Sequence, residues 1–112
     1  MAGAGGARDR LFTAGWVHVF EEDSGEGAVY RAEDADIPLS RRPRERFRLN
    51  RDGSARLFAA GPDDKLIEQP ATWVEEGGVV VIRAAGGGPV LRIVHRSPER
   101  LVVQTTPARG RR

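Results

Sequence analysis

His18 and His95, an arginine cluster from Arg41 to Arg56, and the acid pairs Asp63-Asp64 and Glu75-Glu76 are the residues whose types could do chemistry. A metal centre needs three or four ligands in a defined geometry. Two histidines on separate segments, with no His-x-His or Glu-x-x-His spacing and no cysteine anywhere, do not supply one. Neighbours along a strand point to opposite faces, so neither acid pair makes an acid/base couple on one face. Ser24, Ser40, Ser54 and Ser97 all fall in turn or loop stretches, without the strand-to-helix setting of a nucleophile elbow. "AGGGP", residues 85 to 89, lacks the Lys-Ser/Thr that completes a phosphate loop and reads as a hairpin connection. No catalytic centre assembles, and the expectation is a protein that is not an enzyme and carries neither metal nor cofactor.

The elements that must position these residues are short. Helical periodicity is weak throughout. Runs rich in β-branched and aromatic residues recur instead every 8 to 14 residues: "TAGWVHVFEE", "GAVYRAE", "RERFRLN", "SARLFAA", "LIEQPATWVEE", "VVVIRAA", "PVLRIVHR" and "RLVVQTT". Gly, Pro and Asp separate them, so neighbouring strands should be antiparallel and sequential. Eight antiparallel strands leave two exposed edges if flat and none if closed. The expected fold is all-β: a small antiparallel up-and-down barrel of about eight strands, with a rolled β-sandwich as the alternative. Asp34 to Pro43, with two prolines, is a long loop placed to cover one end. Pro70 inside its run marks an edge or a bend, and "GPDDKL" could open one helical turn at Pro62.

Register can be tested on "RERFRLNRDGSARLFAA", residues 44 to 60. A two-residue Asp52-Gly53 turn would set Leu49 opposite Arg56 and mix core with charge. A type I turn with Gly53 left-handed, forming a bulge, sets Asn50 opposite Ser54, Arg48 opposite Arg56 and Phe47 opposite Leu57. Only this register segregates the chemistry. Phe47, Leu49, Ala55, Leu57 and Ala59 then turn inward, with Glu45 at the far end of their face. Arg44, Arg46, Arg48, Arg56 and Phe58 turn outward. Arg48 against Arg56 needs compensation, and the acidic stretch from Glu21 to Asp36, with seven acids and Arg31 as its one base, is the nearest supply. An external anion or acidic partner is the other source. Phe58 beside guanidinium groups could stack a base, but a single outward aromatic and an equal acidic block argue against nucleic acid.

Trp16, His18 and Phe20 share one face of the first run, and a large aromatic there is placed to plug the base of a small barrel. Together with "GW" near the start, the eight sequential runs, and "TWVEEGGVVVI" followed by "LRIV" and "LVV", the chain resembles the lipocalin-like, or calycin, barrels. It is also similar to short bacterial lipocalin-like proteins with a W…EE…YR…F…DG…W layout, a likeness that spans residues 12 to about 104. The family's G-x-W is here Gly15-Trp16 with no residue between. The resemblance implies the barrel and a ligand-holding role.

At 112 residues the chain is one domain, read as a disordered leader (1–10), a barrel (11–106) and a basic tail (107–112). Richness in arginine, alanine and glycine goes with a GC-rich bacterial genome. No apolar run approaches the roughly 18 residues of a membrane span, and the start has no continuous apolar segment of a secretory signal. A cytoplasmic, non-catalytic binding protein is therefore expected. One version holds a small apolar ligand at a mouth under the Asp34–Pro43 loop, lined by Trp16, His18, Phe20, Phe47 and Trp73. The alternative is an interaction module using Arg44, Arg46, Arg48, Arg56 and Phe58 for an acidic partner, for self-association or, less favoured, for nucleic acid.

Overall fold

A computed structural model of the protein describes residues 6–61, 63 and 65–106, with backbone alone at 6–9 and 60. After a helix α1 (Gly6–Thr13) come β1 (Trp16–His18), β2 (Ala28–Ala32), β3 (Arg46–Leu49), β4 (Ser54–Ala60), β5 (Leu66–Glu76), β6 (Val79–Ala84), β7 (Val90–Arg96) and β8 (Arg100–Thr106). Every pairing is antiparallel, and the eight strands close into a barrel in the order β1-β2-β8-β7-β6-β5-β4-β3. The expected barrel is thus present, with one departure from a strict meander. β1 sits between β2 and β3, and closure runs through β2 and β8 instead of β1 and β8.

Geometry explains the departure. β2 ends at Ala32 beside Trp16, whereas β3 begins at Arg46 beside Val17 and runs back to Phe47 beside Trp16. Residues 33–45 must therefore pass over β1 to start a strand on its far side. That segment is a strap on the outer wall, not a cover over one end. Val17 points outward yet is buried, and it shares a shallow surface groove with Ile37, Pro38 and Pro43.

The opening hairpin adopts the bulged register. Arg46 pairs with Phe58, Phe47 with Leu57, Arg48 with Arg56 and Leu49 with Ala55. Gly53 has φ +95°, and Asn50 and Ser54 face each other through an Asn50 N–H bond to the Ser54 carbonyl of 2.9 Å. Phe47, Leu49, Ala55 and Leu57 are buried in the core with Trp16, Tyr30, Ile82, Leu91, Ile93, Leu101 and Val103. Small residues make room for large ones: Trp16 pairs with Ala32, and Ala55, Ala71 and Ala84 lie side by side across three strands.

The leader reading changes at residues 6–10, which belong to α1. Leu11 is buried in the core and accepts a 3.2 Å hydrogen bond on its carbonyl from Trp16 Nε1, while Phe12 stacks on Trp73 at 5.0 Å. These two apolar side chains, with Arg10 bonded to the Asp34 carboxylate and the Pro98 carbonyl, hold a segment whose glycine-rich composition carries no helical period. The barrel base is plugged by Trp16 together with this helix. Pro70 is neither on an edge strand nor at a break in β5. It falls one residue before the segment of β5 that pairs with β6, where its missing N–H costs no bond on that side. The helical turn at Pro62, residues 1–5 of the leader and the 107–112 tail lie outside the described residues.

Two glycines carry different loads. A Cβ on Gly53 would meet nothing closer than 3.9 Å, so alanine there suffers only the left-handed backbone. At Gly27, φ is +149° and a Cβ would lie 2.6 Å from the Val103 carbonyl oxygen, at the seam where β2 meets β8. Gly53→Ala should lower the unfolding free energy by about 1–2 kcal/mol. Gly27→Ala should cost more, and urea denaturation of the two variants checks the ranking.

Candidate functional site

One end of the barrel is filled and the other is not. Below, Trp16, Leu49 and Ile82 are fully buried together with Leu11 of α1. Above, a cavity of about 180 Å³ opens between the ends of β3, β4, β5, β7 and β8. Phe47, Leu57, Ala59, Pro89 and Leu91 form its apolar wall. Tyr30, Glu45, Gln69 and Thr105 bring polar groups to it, and Arg46 and Phe58 stand at its rim. The space lies where β4 presents the small Ala59, whereas the opposite end of the barrel carries Trp16. In volume it compares with engineered apolar cavities of about 150 Å³ that admit benzene, and falls short of the roughly 300–1,000 Å³ of drug-sized pockets.

Tyr30 is the central polar residue. It lies between His18 and Phe47, with ring centroids 5.0 and 4.8 Å away, and is 5 % exposed. Its hydroxyl forms no hydrogen bond with the described residues, yet no buried side-chain polar atom among them lacks a partner. The hydroxyl therefore reaches open space, and Tyr30 lines the cavity. Burial first, then the negative charges of Glu45 and Asp23, push the phenol well above its usual range. It stays neutral and can both donate and accept.

Of the five residues expected to line a mouth, the structure brings only Phe47 to this cavity. Trp16 is fully buried at the opposite end, and Trp73 stays there too, donating from Nε1 to the Asn50 carbonyl at 2.6 Å. His18 turns inward but contacts the outer side of Tyr30, and its Nε2 sits 3.0 Å from both Asp23 carboxylate oxygens. Phe20 departs from the face it was expected to share. β1 stops at His18, and a short 3-10 turn over Phe20–Glu22 carries the ring outside, between the guanidinium groups of Arg44 at 4.6 Å and Arg42 at 5.2 Å. The two histidines do not meet, since β2 and β8 separate β1 from β7 and His95 follows a bulge after Ile93 and is exposed. Among the described residues no group of three or more His, Asp or Glu is placed to hold a metal ion.

The arginines point outward as the register requires, but three already have carboxylates. Arg44 is not on an open face: the strap covers it to 8 % exposure. Its fork reaches both Glu21 carboxylate oxygens at 2.9 and 2.7 Å, and it donates to the carbonyls of His18 at 3.0 Å and Pro38 at 2.8 Å. Arg48 pairs with Glu33 at 2.9 Å and Arg56 with Glu68 of β5 at 3.1 Å. The acidic stretch thus answers Arg44 and Arg48, and β5 answers Arg56. Arg46 is exposed and forms no ion pair among the described residues.

Sequence reasoning missed Tyr30, Gln69, Leu91 and Thr105 as lining residues. The signal was available in part: Leu57 and Ala59 belong to the inward set, and Tyr30 alternates with Ala28 and Ala32. What these features define is a closed eight-stranded antiparallel barrel with one capped base and a small, mixed-polarity cavity at its other end. Compared with known proteins, the chain matches no family model, no curated sequence and no solved structure.

Arg44 ties the strap to the wall and is predicted to matter for stability. Arg44→Ala, which removes the covered guanidinium with its four hydrogen bonds and leaves only the exposed Glu21 carboxylate behind, should cost about 1–3 kcal/mol in urea denaturation. Glu21 is held down to about 2 from the usual 4.5, chiefly by the hydrogen bonds from Arg44 and then by its own backbone N–H. Because its folded value is depressed, its contribution is complete above about pH 4.5 and disappears as pH falls toward 2. Glu21→Gln should flatten that part of the stability–pH curve. Parallel curves for the two proteins would show that the pair contributes nothing.

Proposed function

We propose that the protein is a non-catalytic binding protein that holds one small, largely apolar molecule in the cavity beside Tyr30. The observation that carries this reading is a neutral phenol, 5 % exposed and with no hydrogen-bond partner among the described residues, lining a cavity of about 180 Å³ with largely apolar walls. The hydroxyl keeps accessible surface, and a ligand's polar atom in the cavity that Tyr30 lines could pair with it. The lipocalin-like resemblance supports the same role, with the closed eight-stranded barrel in its favour. Membership of that family and a bacterial, cytoplasmic setting are parts of this proposal. The absence of cysteine accords with the setting, and among the described residues no helix is long and apolar enough to cross a membrane.

The alternative, an arginine face that binds an acidic partner or a second copy, has less to draw on. Glu21, Glu33 and Glu68 already compensate Arg44, Arg48 and Arg56, which leaves Arg46 as the uncommitted cation of that set.

Neither tryptophan borders the cavity, so their fluorescence is the wrong reporter. Titration with toluene followed by methyl NMR should shift Leu57, Ala59 and Leu91 saturably and leave Val17 unmoved. Ala59→Trp, which fills the space, should abolish the shifts while the protein stays folded. Absence of any saturable change in the wild type would sink the ligand reading.

A further inference from the structure

Resting on that cavity, we propose that it selects a small apolar molecule with a protonated amine head and discriminates against carboxylates. Three of its polar groups do not choose between the two. The Tyr30 and Thr105 hydroxyls and the Gln69 amide each donate and accept, so they serve an ammonium or a carboxylate equally well. Charge has to decide, and the charges at the cavity differ in where they face. Glu45 lies in register with Phe47 and Leu49, two and four residues on, both of which are buried in the core. Its side chain is therefore on the inner-face side of the strand and lines the cavity at its open end, where it is itself exposed. It forms no ion pair among the described residues. Arg46 alternates to the outer face and pairs across to Phe58, so its guanidinium stands in solvent at the rim. The negative field of Glu45 and Asp23 is also felt at the Tyr30 phenol, whose ionisation both oppose. An amine seated against Phe47 and Leu57 meets a carboxylate on its inward path and hydroxyl oxygens at its head. A carboxylate in the same place meets like charge and has no cation facing in.

The size of the cavity limits the body to about one aromatic ring. Benzylamine, benzyl alcohol and benzoate share that ring and differ in head charge, so the three can be titrated against the full chain by methyl NMR of Leu57 and Leu91. Benzylamine should bind roughly five- to tenfold more tightly than benzyl alcohol, as one partly exposed charge pair provides, and benzoate more weakly than either. Glu45→Gln should bring benzylamine down to the level of benzyl alcohol and leave the alcohol unchanged. Equal affinities for all three would overturn the charge selection while the cavity reading stands. So would tightest binding of benzoate that is lost in Arg46→Gln, which would place control at the rim. If benzyl alcohol and toluene also fail to bind, the cavity reading falls and this inference with it.

Discussion

Every strand of this barrel has two partners because β2 takes β1 on one side and β8 on the other. That seam is the constraint on which the remainder depends. Val29 faces Val102 across it, and Tyr30 faces Leu101. It is also where Gly27 leaves no room for a Cβ beside the Val103 carbonyl. Without the seam the sheet would keep two open edges, and the inward residues of β2 and β8 would lose the opposite wall. Tyr30 would then stand at an edge, still beside His18 and Phe47 on the β1 side but without Leu101 across from it or a cavity to face.

Placing β1 inside the sheet makes the strap necessary, and the strap settles the fate of the charges. A chain that has to climb the outer wall from Ala32 to Arg46 lays its carbonyls and acidic residues over the outward arginines. Arg44 is buried by this route, although strand alternation alone makes it an exposed residue. The Pro38 carbonyl and Glu21 converge on its guanidinium from two different connections. Two ion pairs, Arg44 with Glu21 and Arg48 with Glu33, join the block of acids to the block of arginines that follows it in sequence.

The hairpin from 44 to 60 was legible because one register separates apolar from charged residues and the other does not, and Gly53 permits that register. The strand count and closure were legible from the spacing of the runs and the unfavourable edges. The path between strands was not. Nothing local to Asp34–Pro43 says whether it caps an end or crosses a wall, because that depends on which strand β8 finds. Phe20 was misplaced for a related reason: alternation was extended past His18, where a turn begins. α1 was missed because its hold on the barrel is a few side chains, Leu11, Phe12 and the Arg10 fork onto Asp34, and not a periodic apolar face. The cavity was the least legible feature. Its walls come from strands far apart in sequence, and its emptiness depends on small residues, such as Ala59, meeting at one level.

The seam has a consequence for how the protein comes into being. Ala28–Arg31 must wait for Arg100–Val103, about seventy residues later, before either has its final neighbour. The early hairpin can form as it leaves the ribosome, and so can the meander from β3 to β7. Neither can shut the cylinder until translation is nearly finished. At the common pace of about 5–20 residues per second, the first two strands spend several seconds in a nascent chain with one flank unsealed. Such non-local closure also places the domain among slower folders.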